Sequence, residues 1–153
     1  MSVDFYVAVP AAEWPSPASA QQCIGQNGYP ITIERFPSLK PNEVVTDGAL
    51  VTIDGQKSYL EGELSPASKA PDDVREINQR LTNAKADFRV TNEYALMSVR
   101  ARSADEVRAA AYVISGLIIC FHGYGFEPQG NGHGRADFAK GLLATEQQLR
   151  NQE

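Results

Sequence analysis

The segment 103–123, "SADEVRAAAYVISGLIICFHG", sets the tightest constraint on what this chain of 153 residues can become. Ser103 followed three positions later by Glu106 is a capping box, in which each side chain satisfies an amide at a helix start. Val107, Ala110, Ala111, Ile114, Leu117, Ile118 and Phe121 then recur at spacings of three and four, the apolar stripe of a helix. Val113, Ile119 and Cys120 make its last two turns apolar all round, so that end has to lie between a sheet and a second layer. Ser115 and Gly116 interrupt the apolar run, which is too short to span a bilayer. Gly123 is placed to end the helix in the left-handed conformation.

The strands that such a helix needs are legible as period-two alternation. Val3, Phe5, Val7 and Val9 share one face, with Asp4, Tyr6 and Ala8 on the other. Ser16-Pro17 starts a short helix over about 18–24, and Tyr29, Ile31 and Ile33 alternate with Thr32 and Glu34 as a second strand. Asp54-Gly55 supplies a type I′ turn between "ALVTI" and "KSYLEGEL". Pro71 with Asp72-Asp73 opens a helix whose inner face is Val74, Ile77, Leu81 and Ala84. "DFRVTN" and "EYALMSVRA" read as two further strands, Tyr124 to Phe126 as a brief edge strand, and 135–148 as a last helix carrying Phe138, Leu142 and Leu143. This order predicts one α+β domain over 1–153, a mostly antiparallel sheet of about five to six strands with three to four helices packed chiefly on one face.

Charge narrows the function. A formal net charge of −5 and a pI near 5.1 argue against nucleic-acid binding, which requires a Lys/Arg stripe that the sequence does not show. Arg100, Arg102 and Arg108, with Arg89, are the nearest approach to one and read as a solvated face. A chain of this length buries a core without cross-links. Cys23 and Cys120, in no CxxC pair, read as two reduced thiols suited to the cytoplasm, with a single disulfide left open. The N-terminal stretch lacks the basic and apolar regions of a signal peptide, so a cytoplasmic protein without membrane contact is expected.

Residues 119–134, "ICFHGYGFEPQGNGHG", hold five of the 12 glycines and both histidines. They follow a helix, whereas phosphate-binding glycine loops follow a strand, and no GxxxxGK[ST] or GxGxxG stands there. His122, Glu127, His133 and Asp137 form the one group that offers metal ligands, at a spacing that matches no HExxH or CxxC signature, and Arg135 offers an anion contact. A turned connector is the favoured reading, with no metal and no cofactor. Cys120 is two residues from His122 but points away from it on a helix, and no GxSxG elbow occurs.

What remains is an acidic surface. Glu61 and Glu63 share a strand face, Asp72 and Asp73 open a helix, and Glu13 precedes Trp14, the lone tryptophan, in a proline-flanked loop. Trp14 serves either as a lid on the core or as an interface anchor. Glu13, Trp14, Glu61, Glu63, Asp72 and Asp73 together predict a surface for a basic protein partner. The expected function is non-catalytic: an acidic inhibitor, antitoxin or immunity protein of the bacterial type that neutralises a toxin or enzyme. The alternatives are a small-molecule or metal-binding enzyme built on the 122–137 loop through His122, Glu127, His133 and Arg135, and a structural or assembly subunit.

Overall fold

Asp54 and Gly55 both take positive φ, 52° and 76°, the backbone that a type I′ turn demands. They join strand β3 (Ala49–Ile53) to β4 (Gln56–Pro66), with Ile53 opposite Gln56. The other strands are β1 (Val3–Pro10), β2 (Ile31–Arg35), β5 (Tyr94–Ala101), β6 (Tyr124–Glu127) and β7 (Gly132–Gly134). In the computed structural model, which describes residues 2–152, they form one antiparallel sheet in the order β2-β3-β4-β5-β1-β6-β7. Seven strands slightly exceed the five to six expected, and one of them, Gly132–Gly134, pairs with β6 where a connector was read.

One expected strand is missing. The segment "DFRVTN" joins no ladder, because both sides of β5 are already taken by β4 and β1. At Val90 a side chain takes the place of a ladder partner: Asn78 donates to the Val90 carbonyl at 2.9 Å and accepts from the Val90 amide at 2.8 Å. Phe88 and Val90 are thereby buried.

Four helices cover the sheet: α1 (Pro17–Gln26), α2 (Pro71–Asn83), α3 (Ala104–Phe121) and α4 (Ala136–Asn151). The Ser16 hydroxyl accepts from the Ser19 amide at 3.1 Å to start α1. Ser103 accepts from the Glu106 amide at 3.2 Å, and Glu106 reaches back at 2.9 Å to the amide of Arg102, one residue beyond the usual capping-box partner. α1, α3 and α4 share a core with Val7, Val51, Leu60, Met97 and Val99, whereas α2 packs Ile77 and Leu81 on the opposite face against Ala8, Leu96, Tyr124 and Phe126. Helices therefore lie chiefly, but not solely, on one face.

Two details at the end of α3 differ from expectation. Ile119 is 47% exposed, so the last turn is not covered all round. The left-handed residue is His122, at φ 60°, not Gly123. Gly123 is needed for space: a Cβ there would lie 2.9 Å from Val7 Cγ2 and 3.0 Å from the Leu117 carbonyl oxygen, which accepts the Gly123 amide.

The thiol reading is also corrected. Cys23 and Cys120 form a disulfide that ties α1 to the end of α3 across 97 positions of sequence. Sequence spacing alone carries no distance between two cysteines so far apart, which is why both states stayed open. A second cross-tie is ionic. Arg108 and Glu146, 1% and 2% exposed, meet at 3.0 Å between α3 and α4. Glu146 also accepts from the Tyr112 hydroxyl at 2.5 Å, and Arg108 reaches Asp54 at the β3–β4 turn at 2.9 Å.

Two measurements check these ties. Cys23→Ser with Cys120→Ser opens a loop near 100 residues, for which chain entropy predicts a loss of about 4–5 kcal/mol in chemical denaturation; an unchanged midpoint against the oxidised protein would deny the disulfide. Glu146→Ala leaves a buried guanidinium without its one buried carboxylate partner among the described residues and is expected to cost about 3–5 kcal/mol in the same experiment.

Candidate functional site

Alternation sorts the strand residues on the α2 side of the sheet into rows that cross strands. One row is Glu61, Arg100, Asp4; the next is Glu63, Ser98, Tyr6, Phe126; the third is Ser65, Leu96, Ala8, Tyr124. Ile77 and Leu81 of α2 lie over the third row and Phe126. The first row and most of the second are left open, and with Asp73 of α2 they line a hollow of about 270 Å³. A second hollow of about 310 Å³ shares Asp4, Tyr6 and Asp73 and adds Glu76. Gly62 sits between the two strand glutamates because β4 touches β5 there: a Cβ would stand 1.8 Å from the Ser98 carbonyl oxygen.

Five carboxylates, Asp4, Glu61, Glu63, Asp73 and Glu76, thus converge from three elements, and Arg100 is the one basic side chain among the described lining residues. Arg100 bonds Asp4 at 2.9 Å, and Arg102, beyond the rim, pairs with Glu61 at 2.5 Å. Both pairs are exposed enough to be weak and exchangeable. Burial pushes the Tyr6 hydroxyl up to about 12, and Asp73, Asp4 and Glu76 push the same way against Arg100. Burial first, then Glu76 and Asp72, also holds the Asp73 carboxyl above its ordinary range. The hollow therefore disfavours further negative charge and would be relieved by a cation.

Of the six residues expected at an acidic interface, Glu61, Glu63 and Asp73 come together here. Asp72 lies on the same helix but pairs outward with Arg75 at 3.1 Å. Glu13 and Trp14 do not join them. Glu13 meets His122 at 2.6 Å at the end of α3. Trp14 packs with the core of the other face, stacked on Phe36 at 5.6 Å, its indole donating to the Pro37 carbonyl at 3.0 Å. It has the environment of a lid.

The glycine- and histidine-rich segment is a β-hairpin. Its glycines make room for an aromatic ring of α4: a Cβ on Gly125 would stand 2.4 Å from Phe138, and Gly132 and Gly134 also face that side chain. The two histidines do not converge. His122 bonds Glu13, whereas His133 bonds the Tyr124 hydroxyl at 2.6 Å and stacks on its ring. Arg135 lies over the rings of Phe88 and Tyr124, 5.2 Å from each. Glu127, His133 and Asp137 do line one cavity, between this hairpin and α4, without forming a metal-binding group.

Asp4, Tyr6, Glu76 and Arg100 were missed as site residues. The alternation of β1 had already put Asp4 and Tyr6 on the less apolar face; absent was the pairing of β1 with β5, which brings them beside Glu61 and Glu63. In comparison with known proteins, no family model, no curated protein and no solved structure matches the chain.

The tyrosine gives a pH test. A hydroxyl whose pKa is raised by folding contributes stability that is full below its unfolded value of 10 and lost as pH rises through its folded value of about 12. Tyr112, also pushed up to about 12 by burial and its bond to Glu146, loses stability in the same window. Tyr6→Phe should flatten part of the alkaline decline in urea-denaturation midpoints and leave the Tyr112 part; an unchanged slope would place Tyr6 in an ordinary solvated environment.

Proposed function

We propose that the protein works by binding rather than catalysis, as an acidic domain that neutralises a basic protein partner in the manner of an inhibitor or immunity protein. The observation that supports this most is the placement of five carboxylates around one half-buried tyrosine on an open face, with Asp73 held above its ordinary protonation range. A carboxylate held at a cost to the free fold, as at Asp73, suits an encounter site, because a lysine or arginine from outside removes the repulsion as it binds. Tyr6 supplies the rigid aromatic surface that interface centres favour. The net charge of −5 adds long-range attraction for such a partner.

Among the described residues no helix is long and apolar enough to cross a membrane. The Cys23–Cys120 bond weighs against the cytoplasmic setting expected from sequence and favours an oxidising compartment, where disulfides persist. The enzyme alternative loses its proposed constellation, since His122 and His133 are engaged with separate partners.

The test uses Glu63→Gln with Asp73→Asn. Asp73→Asn should raise the melting temperature of the free protein at neutral pH, because the charged carboxylate is the form that the fold disfavours. In affinity capture from the source cell at low salt, the double variant should lose the basic protein that the wild type retains. Titration of that purified partner should show a Kd weakened about tenfold or more, which is about 1.4 kcal/mol. Glu43→Gln, on the 36–48 connection, is the control. Equal capture by all three proteins would overturn the reading.

A further inference from the structure

The cavity between the β6–β7 hairpin and α4 lies on the sheet face opposite the acidic hollow and has different chemistry. It encloses about 490 Å³, within the range of small-molecule sites. Phe5, Val107, Phe138 and Leu142 supply apolar lining, and the two carboxylates Glu127 and Asp137 are the only acidic or basic groups among the described lining residues apart from His133. His133 directs its Nδ1 to Tyr124. Along the α4 wall, the Thr145 hydroxyl turns back to the Gly141 carbonyl at 3.2 Å, so its hydrogen bond is made within the helix.

Gly141 marks where the mouth of the cavity meets the α4 backbone, and it is exposed there. It stands in the interior of a 16-residue helix, where glycine is less favourable than alanine, and a Cβ there would meet nothing within 4 Å. The other glycine within a long helix, Gly116, has neighbours that explain it: its Cβ would touch Ile24 at 3.4 Å and the Cys23 sulfur at 3.5 Å. Gly125 likewise makes room for Phe138. Gly141 makes room for no atom of this chain, yet it lines the cavity. With no side chain at this exposed position, a molecule seated in the cavity has access to the α4 backbone.

We propose that this cavity is a ligand site for a small apolar molecule carrying one positive charge, such as an alkyl or aryl amine. Its apolar body lies against Phe5, Val107 and Leu142 and approaches the α4 backbone at Gly141. Its cationic end lies toward Glu127 and Asp137. Glu127 already accepts from the Gly130 amide, so Asp137 is the carboxylate with more capacity to receive a new donor. An anionic ligand of the same shape is disfavoured by two like charges, and His133, engaged with Tyr124, is the only basic group among the described lining residues to offset them.

Octylammonium, octanol and octanoate, below their micelle concentrations, separate charge from apolar burial. Calorimetry together with amide NMR shifts should show octylammonium binding with shifts centred on Val107, Gly132, Gly141 and Leu142, and about tenfold tighter than octanoate. Asp137→Asn should narrow that ratio. Gly141→Ala should raise the melting temperature and weaken binding, and Gly141→Leu should abolish it, so loss of the site cannot be mistaken for loss of the fold. The proposal fails if no probe binds, if octanoate binds as tightly as octylammonium, if Gly141→Leu binds unchanged, or if the shifts centre on Tyr6 and Ser98. That last result would assign the amine to the acidic hollow on the other face.

Discussion

The buried contact between Arg108 and Glu146 holds the remaining parts in relation to one another. Removing a guanidinium and a carboxylate from water costs several kcal/mol per ion, and the cost is offset only while both keep their partners. Here the partners come from three places: Tyr112 in α3, Glu146 in α4, and Asp54 at the tip of the β3–β4 hairpin. A shift of α4 along α3 would strand a charge, so α4 has one seat. That seat lays Phe138 over Gly125 and Gly132 and so defines the β6–β7 hairpin and the apolar cavity beside it. The disulfide fixes the far end of α3 to α1 and leaves this end to the ion pair.

Unequal coverage of the sheet creates the acidic hollow. Three helices close one face, while the 13-residue α2 closes only part of the other. A polar side chain also completes the exposed edge there. Beyond the pairing of β1 with β6, the Gln129 amide accepts from the Asp4 N–H at 2.7 Å and donates to the Asp4 carbonyl at 3.0 Å, as a neighbouring strand would. Gln21 does the same for one amide of the opposite edge strand, accepting from Ile33 at 2.6 Å. Side chains that occupy edge amides make these two positions poorer templates for strand addition.

The sequence was most legible where a local rule and the tertiary contact agree. Ser16, Ser103 and Asp54-Gly55 act through neighbours one to four positions away, and each stands as expected. Legibility fell where long-range contact decides. The segment 87–92 has a strand-like pattern, but strand formation requires an unoccupied edge, and Asn78 answers the backbone of Val90 instead. Gly123 was read by its conformational freedom, whereas its contact with Val7, more than a hundred positions away, is what demands it. The acidic site was half visible for the same reason. Glu61, Glu63 and Asp73 could be named from local pattern, but their union with Asp4 and Tyr6 depends on strand order, and Trp14 was separated from them by the sheet itself.

Asp73 and Gly141 share a logic despite lying on opposite faces. Neither is rewarded by a side-chain contact within the chain, although Asp73 suits the start of α2: one is a carboxylate among carboxylates, the other an exposed glycine inside a helix with open space before it. Core positions show the reverse, since Gly62, Gly123 and Gly125 are each demanded by an atom that a side chain would strike. A sequence whose local choices otherwise agree with its fold concentrates such disagreements where something outside the chain completes the interaction. The partner surface proposed around Asp73 and the ligand cavity proposed beside Gly141 call for different chemistries, one a charged surface and the other an apolar body. The two proposed sites are separated by the full thickness of the sheet, so occupation of one would leave the other open.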